Sequence, residues 1–464
     1  MANLETDYLV IGSGAVGMAF VDVLLDETDA NIIIVDRHHA PGGHWNDAYP
    51  FVRLHQPSAF YGVSSRKLGA DRIDEAGSNT GYFELASGAE VLAYFDQVMR
   101  ERFLPSGRVR YFPMSDYKGD GRFQSLLSGD DHAVDVKKKV VDGTFFKTSV
   151  PSTHKRKYAV EDGVACITPN DLPRRAPAYK NFCVIGGGKT GMDAVVWLLD
   201  NGADPDAVRW VVSRDSWLLN RATTQPGLGF FKEAIGGFAD QLEAAAKASD
   251  IQHLFDLLEE KDVMFRVEPE IRPTMFHYAT ISKGEIDQLR RVKDVVRGRV
   301  ESISQDALVM QCGETVSAAP ETLYVDCTAT AVEFAGGASP IFEDGKITLQ
   351  SVRSPLLPFS AAVAAYVEAH YDNDDDKNRL CKPVILADTP AQFAVSFLGN
   401  LMNQYTWGQE PALNAWINKN RLDPFGKVVE AADRSDPATI AILERVRDSM
   451  MPAAGNLQKL IANA

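Results

Sequence analysis

The chain has 464 residues, 45% of them hydrophobic and 24% charged, and a formal net charge of −15. That length exceeds one ordinary core and predicts two or three domains, while the acidic balance disfavours nucleic acid, whose phosphates need a basic face. No apolar run is long enough to span a bilayer, and the first strand begins within a few residues of Met1, so neither a membrane anchor nor a leader peptide is expected and the cytoplasm is the default. Five scattered cysteines without a C-x-x-C argue against a disulfide scaffold, a zinc site and a dithiol redox centre.

Tyr8 to Ile11 reads as a strand running into Gly12-Ser13-Gly14-Ala15-Val16-Gly17, and an apolar, helix-compatible run follows from Met18 to Leu25. This is strand, tight turn and helix, with G-x-G-x-x-G spacing on the turn. Gly12 turns the chain sharply, Gly14 lets a pyrophosphate approach the backbone, and Gly17 lets the helix pack close to the strand. The free N–H groups at the helix start then favour phosphate. The next strand, Asn31 to Val35, ends at Asp36, and an acid about 20 residues past the turn fits a ribose-hydroxyl acceptor. Arg37 and Pro41-Gly42-Gly43-His44-Trp45 follow. A Gly-Gly pair beside an aromatic lets backbone approach a flat ligand, with Trp45 as its cover; a surface turn with a packing Trp is the plainer alternative. Directly after the acid, the cofactor reading is preferred, and it takes in Arg37, Gly43, His44 and Trp45.

Arg53 to Val63 mixes polar groups with aromatics, has no period, and reads as a loop over a ring. His55 within it fits a base, a flavin contact or a satisfied structural histidine, and all three stay open. Gly88 to Phe103 has the apolar spacing of one helix face. Residues 109–150 read as short alternating strands, an antiparallel insertion. A proline-containing connector over 145–158 and the loop Thr168 to Pro173 mark the domain crossing.

Asn181 to Gly191 repeats the opening theme. Phe182 to Ile185 is a strand, Gly186-Gly187-Gly188-Lys189-Thr190-Gly191 a second G-x-G-x-x-G, and Met192 to Leu199 a helix. The following strand, Val208 to Val212, ends at Ser213-Arg214. An acid there would accept from a free 2′-hydroxyl and repel a 2′-phosphate, whereas Ser and Arg bind the phosphate. The second nucleotide is therefore expected to be NADP(H), against the plainer reading of Arg214 as an exposed loop arginine. Lys189 and Arg221 are further candidates for phosphate contacts. Residues 226–262 read as helical, interrupted at Gly236-Gly237. The strand Leu323 to Ala329 ends in small residues, placing Thr328 and Ala329 where backbone returns to the first nucleotide. Phe359 to Ala369 is a helix. Asp372 to Asp376 is an acidic loop without an EF-hand pattern, so no metal site is expected. Asn403, Gln404, Tyr405, Trp407 and Gln409 form a polar–aromatic cluster suited to lining a pocket.

The expected architecture is α/β, with two Rossmann-like dinucleotide-binding domains, a helical insertion and small antiparallel β insertions. Residues 1–165 and 326–464, the latter with the C-terminal helices, make the first domain; residues 166–325 make the second, with the helical insertion at about 220–290.

Gly12-x-Gly14-x-x-Gly17, Gly42-Gly43-x-Trp45, Arg53-Leu54-x-x-Pro57, Gly186-x-Gly188-x-x-Gly191 and Ser213-Arg214 together resemble the class B flavoprotein monooxygenases. These include flavin-containing monooxygenases, Baeyer–Villiger monooxygenases and amine N-hydroxylases. Asp326-Cys327-Thr328-Ala329 is similar to the family's returning strand, which usually ends Thr-Gly. Of the family's Phe-x-Gly-x-x-x-His-x-x-x-Tyr/Trp fingerprint, His154 and Tyr158 fit. Thr148 and Val150 stand at the Phe and Gly positions, and Ala159 follows where Baeyer–Villiger enzymes have Pro or Asp. This departure favours oxygenation at N or S over ketone oxygenation. The resemblance implies FAD at the first site and NADPH at the second. It implies O2 and a small amine, amino acid or sulfide as substrates, with oxygen transferred through a C4a-(hydro)peroxyflavin; such enzymes are commonly homo-oligomers. It also places His55, Gln56 and Asn46 near the isoalloxazine and Arg221 near the nicotinamide nucleotide. Two alternatives stay open: an NADPH-dependent flavoprotein reductase or dehydrogenase passing electrons to a partner or small acceptor, and a non-enzymatic flavoprotein.

Overall fold

The computed structural model describes residues 2–330 and 339–463. Two parallel sheets carry the two glycine turns. Strands of the first run in the order Phe342–Glu343, Lys346–Thr348, Asp131–Asp142, Ala2–Ile11, Ile32–Val35 and Val109–Phe112, parallel from Lys346–Thr348 onward. All four residues of Ile32–Val35 are buried, as a strand covered on both faces requires. The helix Ala15–Glu27 is buried continuously from Gly17 to Leu25, because it lies between this sheet and the Ala-rich helix Leu357–His370 in one core.

The antiparallel reading of 109–150 holds for the hairpin Ser115–Gly119 and Arg122–Ser125. Val109–Phe112 is instead a parallel edge strand. Asp131–Asp142 is central: its start pairs antiparallel with Arg122–Gln124, and its length pairs parallel with Ala2–Ile11. Local alternation is the same for either pairing, so it does not reveal a partner so far upstream.

Strands of the second sheet run Asp294–Arg297, Val208–Val212, Asn181–Ile185, Thr322–Asp326 and Cys166–Ile167, all parallel. A three-stranded sheet (Met264–Phe265, Ser216–Asn220, Met275–Ile281) extends from it. The helices Phe231–Lys247, Ile251–Glu260, Pro390–Gly408 and Pro437–Ala462 share a third core with Trp217 and Phe276. Gly236 and Gly237 do not interrupt their helix. A Cβ on Gly237 would stand 2.8 Å from Thr223 Cγ2, so the bare backbone lets this helix seat on the turn Arg221–Thr224.

Two further expectations change. Asp374 to Asp376 open a helix, Asp374–Leu380, rather than a loop. The Asn373 side chain accepts from the Asp376 N–H at 2.8 Å, and the acids sit at the positive helix end. Asn403 and Trp407 are buried ties from Pro390–Gly408 to the carbonyls of Val352, Lys382 and Leu380, while Tyr405 faces solvent. Among the described residues, no helix is long and apolar enough to cross a membrane.

Candidate functional site: two glycine turns and the groups around them

The two turns start their helices on nearly the same backbone, although their first glycines differ, with φ +96° at Gly12 and +138° at Gly186. Each helix starts on an extended glycine N-cap: Gly14 has φ −76° and ψ −179°, Gly188 φ −83° and ψ 179°. Neither cap offers a side-chain oxygen, and neither first turn carries an acid. The leading N–H groups are thus left for an anion. The third glycine is sterically required in both. A Cβ on Gly17 would lie 2.1 Å from the Gly12 carbonyl oxygen, and one on Gly191 2.0 Å from that of Gly186.

Around the first turn, Gly42 N–H donates to the Ser13 carbonyl at 2.9 Å, which brings the Gly-Gly pair onto the turn. A Cβ on Gly43 would stand 3.0 Å from Gly14 Cα. Asn46 holds this second turn closed, its amide donating to the Ala40 and Gly43 carbonyls at 3.1 and 2.9 Å. Asp36 receives four donors: Ser13 N–H at 2.5 Å, Ser13 Oγ at 2.8 Å, His38 N–H at 2.7 Å and His38 Nδ1 at 3.0 Å. Burial alone would raise the Asp36 carboxyl pKa, but these bonds from His38 and Ser13 hold it below the ordinary value. His38 Nε2 reaches Asp47 at 2.9 Å. The bond to Asp36 and, against burial, the bond to Asp47 raise the imidazole pKa to about 9, so both ring nitrogens donate at neutral pH. Arg37 points outward and pairs with Asp116 at 3.4 Å.

Trp45 is buried and donates its indole N–H to Tyr61 Oη at 2.7 Å. The exposed ring here is His44, stacked on Trp45 at 5.4 Å. Surrounding protein pushes the His44 pKa down to about 4, helped by the charge on His38. His55 is half-buried and likewise lowered to about 4 by desolvation and then by Lys189. Both imidazoles are neutral at pH 7. Gln56 is half-buried, and its side chain has no hydrogen bond among the described residues.

At the second turn, Ser213 and Arg214 are exposed, with no hydrogen bond or ion pair to either side chain among the described residues. They sit against the turn, because a Cβ on Gly187 would be 3.0 Å from the Arg214 carbonyl oxygen. The space in front of Gly188 is open. Thr190 neighbours the Tyr49 hydroxyl. Lys189 is one-tenth exposed and pairs with Asp193, and with Glu285 at 3.0 Å. Arg221 is 1% exposed, bound to Glu285 at 2.5 Å and to the His55 carbonyl at 3.0 Å. Gly186 packs on the returning strand, where a Cβ would lie 2.5 Å from the Cys327 carbonyl oxygen. Beyond it, Thr328 Oγ1 donates to Asp326 at 2.7 Å and contacts His154 Nε2 at 3.3 Å, with Ala329 half-buried next to it.

Sequence reasoning missed His38, Tyr49, Asp193 and Glu285. His38 is local enough to be read, standing two residues past the strand-end acid. Ser282-x-x-Glu285 is a readable capping box, confirmed by reciprocal bonds; where its helix docks is not readable.

The two-sheet architecture is the fold of the two-dinucleotide-domain flavoprotein monooxygenases. The open crystal structure of cyclohexanone monooxygenase superposes with a TM-score of 0.51 at 13% identity, over 96% of this chain and 98% of that one. The chain belongs to the family of the mycobacterial protein Rv2000 of Mycobacterium tuberculosis (strain H37Rv). It is 42% identical to that protein over 460 residues, 99% of this chain and 85% of the relative. It is also similar to the Bacillus subtilis oxidoreductase CzcO, at 24% identity over 194 residues, 41% of this chain and 51% of CzcO. No family model matches.

Proposed function

We propose that the protein is a flavin-dependent oxidoreductase that holds FAD at the first glycine turn and NADPH at the second. In our reading it uses O2 to oxygenate a small substrate at N or S. The observation that carries this is the asymmetry of two similar turns: a fixed acid behind one, and behind the other a Ser-Arg pair that is unpaired among the described residues. An acid suits a free ribose diol; an unpaired guanidinium suits a 2′-phosphate. The names of CzcO and cyclohexanone monooxygenase support the same class.

The residues fit both groups. Uncapped first-turn amides at Ala15 and Lys189, and open space before Gly188, accept phosphates. FAD would supply hydride acceptance and reaction with oxygen. The chain's own tasks are then few. Gly14 and Gly43 admit the cofactor backbone, Asp36 is held for the ribose by Ser13 and His38, and Ser213 with Arg214 selects the phosphorylated nucleotide. In this reading a cleft runs between the two nucleotides, and His44, His55 and Gln56 line it with neutral groups that donate or accept without adding charge. We assign the first domain to residues 1–165 and 326–464 and the second to 166–325; Cys166–Ile167 and Thr322–Asp326 pair in the second sheet, while Ala159–Val160, ahead of that limit, already pairs with Ser302–Ile303 of the second domain.

The test is rapid mixing of NADPH-reduced protein with oxygenated buffer, followed by flavin absorbance. A transient spectrum distinct from both reduced and oxidised flavin is expected, with its decay speeded by amines or sulfides. Direct return to oxidised flavin with peroxide release, with NADP⁺ bound, would favour a reductase that passes electrons to another acceptor.

A further inference from the structure

Behind the second glycine turn lies a buried polar cluster whose partners come from both halves of the molecule. Lys189 is the first residue of the helix Lys189–Asp200, so its backbone is part of the turn itself. Its ammonium is shared between Asp193 and Glu285. Glu285 is fixed from its own side by the capping box, accepting from Ser282 N–H at 2.9 Å, and its other contact is the Arg221 guanidinium. Arg221 then reaches across: Nε donates to the His55 carbonyl at 3.0 Å and an Nη to Asn79 Oδ1 at 3.1 Å. Thr280 Oγ1 donates to the same His55 carbonyl at 2.6 Å. The path from turn to cleft wall is therefore continuous: Lys189, Glu285, Arg221, His55.

The charges explain why this path is stiff. Two cations and two carboxylates balance in an interior where an unpaired charge is costly. Burial works against the Lys189 ammonium, yet Asp193 and Glu285 outweigh it and hold its pKa above the ordinary lysine value. Burial likewise works against the Glu285 carboxylate, yet Lys189 and Arg221 hold its pKa far below the ordinary range. A lysine that left to meet a phosphate would strand two buried carboxylates beside one cation. The arrangement thus argues against Lys189 as a phosphate ligand, although it stands inside the motif.

We propose that Lys189, Glu285 and Arg221 are positioning residues, a buried tie that holds the His55–Gln56 segment in register with the second glycine turn, so that ordering of the turn by a dinucleotide orders the cleft wall. This rests on the reading of that turn as a dinucleotide site. Coupling of this kind is reciprocal and is measured by what one site does to the other.

The experiment is amide hydrogen exchange by mass spectrometry on the full chain as purified, with and without NADP⁺, alongside an NADP⁺ titration. The variants are Lys189→Gln, Glu285→Gln, their combination, the conservative Lys189→Arg, and Thr280→Val, which removes only a hydroxyl donor. In the native protein, NADP⁺ slows exchange over residues 53–63. In Lys189→Gln and Glu285→Gln, basal exchange there rises about fivefold or more, the loss of one ordinary hydrogen-bond contribution, and the NADP⁺ response disappears. NADP⁺ affinity changes by less than about threefold, because the variants keep the backbone amide of Lys189 and alter only side chains that do not reach the ligand. The double variant resembles either single one, because both cut the same link. Lys189→Arg restores the response. Thr280→Val removes the other donor to the His55 carbonyl and leaves the charged tie intact, so residues 53–63 loosen but still respond to NADP⁺; loss of that response in Thr280→Val overturns the proposal even should the charged variants fail to fold. The proposal is overturned if exchange over 53–63 does not move in any variant. It is also overturned if Lys189→Gln loses NADP⁺ affinity tenfold while Glu285→Gln gains it, since that makes Lys189 a phosphate ligand. A native protein that binds no NADP⁺ refutes the dinucleotide reading of the turn, while basal exchange in the variants still decides whether the tie exists.

Discussion

The first and second glycine turns start their helices alike and differ in what stands behind them. Their N-caps agree within a few degrees, and their third glycines are excluded from bearing a side chain by the same carbonyl contact. Behind the first, Asp36 is fixed in place by Ser13 and His38, and His38 is itself pinned to Asp47. Behind the second, Ser213 and Arg214 are exposed and unpaired among the described residues, while the charge near the turn is locked in the cluster around Glu285. Backbone geometry therefore states that a dinucleotide phosphate fits, twice. Which dinucleotide is a matter of the strand-end side chains.

The sharpest way to break the symmetry is to fill one turn at a time. In Gly17→Ala or Gly191→Ala, the new Cβ would collide with a carbonyl oxygen, and the helix must shift at a cost of about 3 kcal/mol or more. Gly17→Ala is expected to purify without flavin. Gly191→Ala is expected to keep its flavin and lose reduction by NADPH, and flavin content with anaerobic bleaching reads both. The next largest effect tests the brace behind the second turn. Glu285→Gln leaves Lys189 and Arg221 short of a buried carboxylate and should cost about 3 kcal/mol in urea unfolding at pH 7. Because the Glu285 pKa is depressed in the folded state, its contribution is present above about pH 4.5 and lost as pH falls below it. The native protein should therefore lose stability more steeply on acidification than Glu285→Gln.

The smallest effect belongs to the first turn and has the opposite sign with pH. The His38 pKa is raised to about 9, so its contribution is complete below about 6.5 and disappears as pH rises through 9. Thermal melts from pH 7 to 10 should show a decline in the native protein that His38→Gln flattens, with a native-to-variant gap at pH 7 of about 1 kcal/mol. A gap that persists at pH 10 would mean that the ring packs but does not pair.

Much of this comparison is legible in the sequence because it is local. The glycine spacings, the acid at Asp36 and the Ser213-Arg214 pair each lie within one strand–turn–helix unit, where a few residues determine the geometry. The parts that are not legible are long-range. Lys189 and Glu285 are 96 residues apart, and Arg221 is 166 from His55. No periodicity encodes which buried carboxylate will meet which cation. The strand Asp131–Asp142 shows the same limit, since alternation gives a strand but not the parallel partner at the chain start. Asp374 to Asp376 look like a solvated loop by charge alone, and only the cap at Asn373 makes them a helix start.

In the proposed reading the two turns take different nucleotides, and the choice at the second is made by Arg214. The direct test is stopped-flow reduction of the bound flavin by NADPH and by NADH, in the native protein and in Arg214→Ala. The native protein should favour NADPH. Arg214→Ala should lower that preference by about 10- to 100-fold, the worth of one charge-assisted phosphate contact, with little change for NADH. Equal use of the two nucleotides by the native protein, or a preference for NADPH that survives Arg214→Ala, would show that Arg214 does not select the nucleotide.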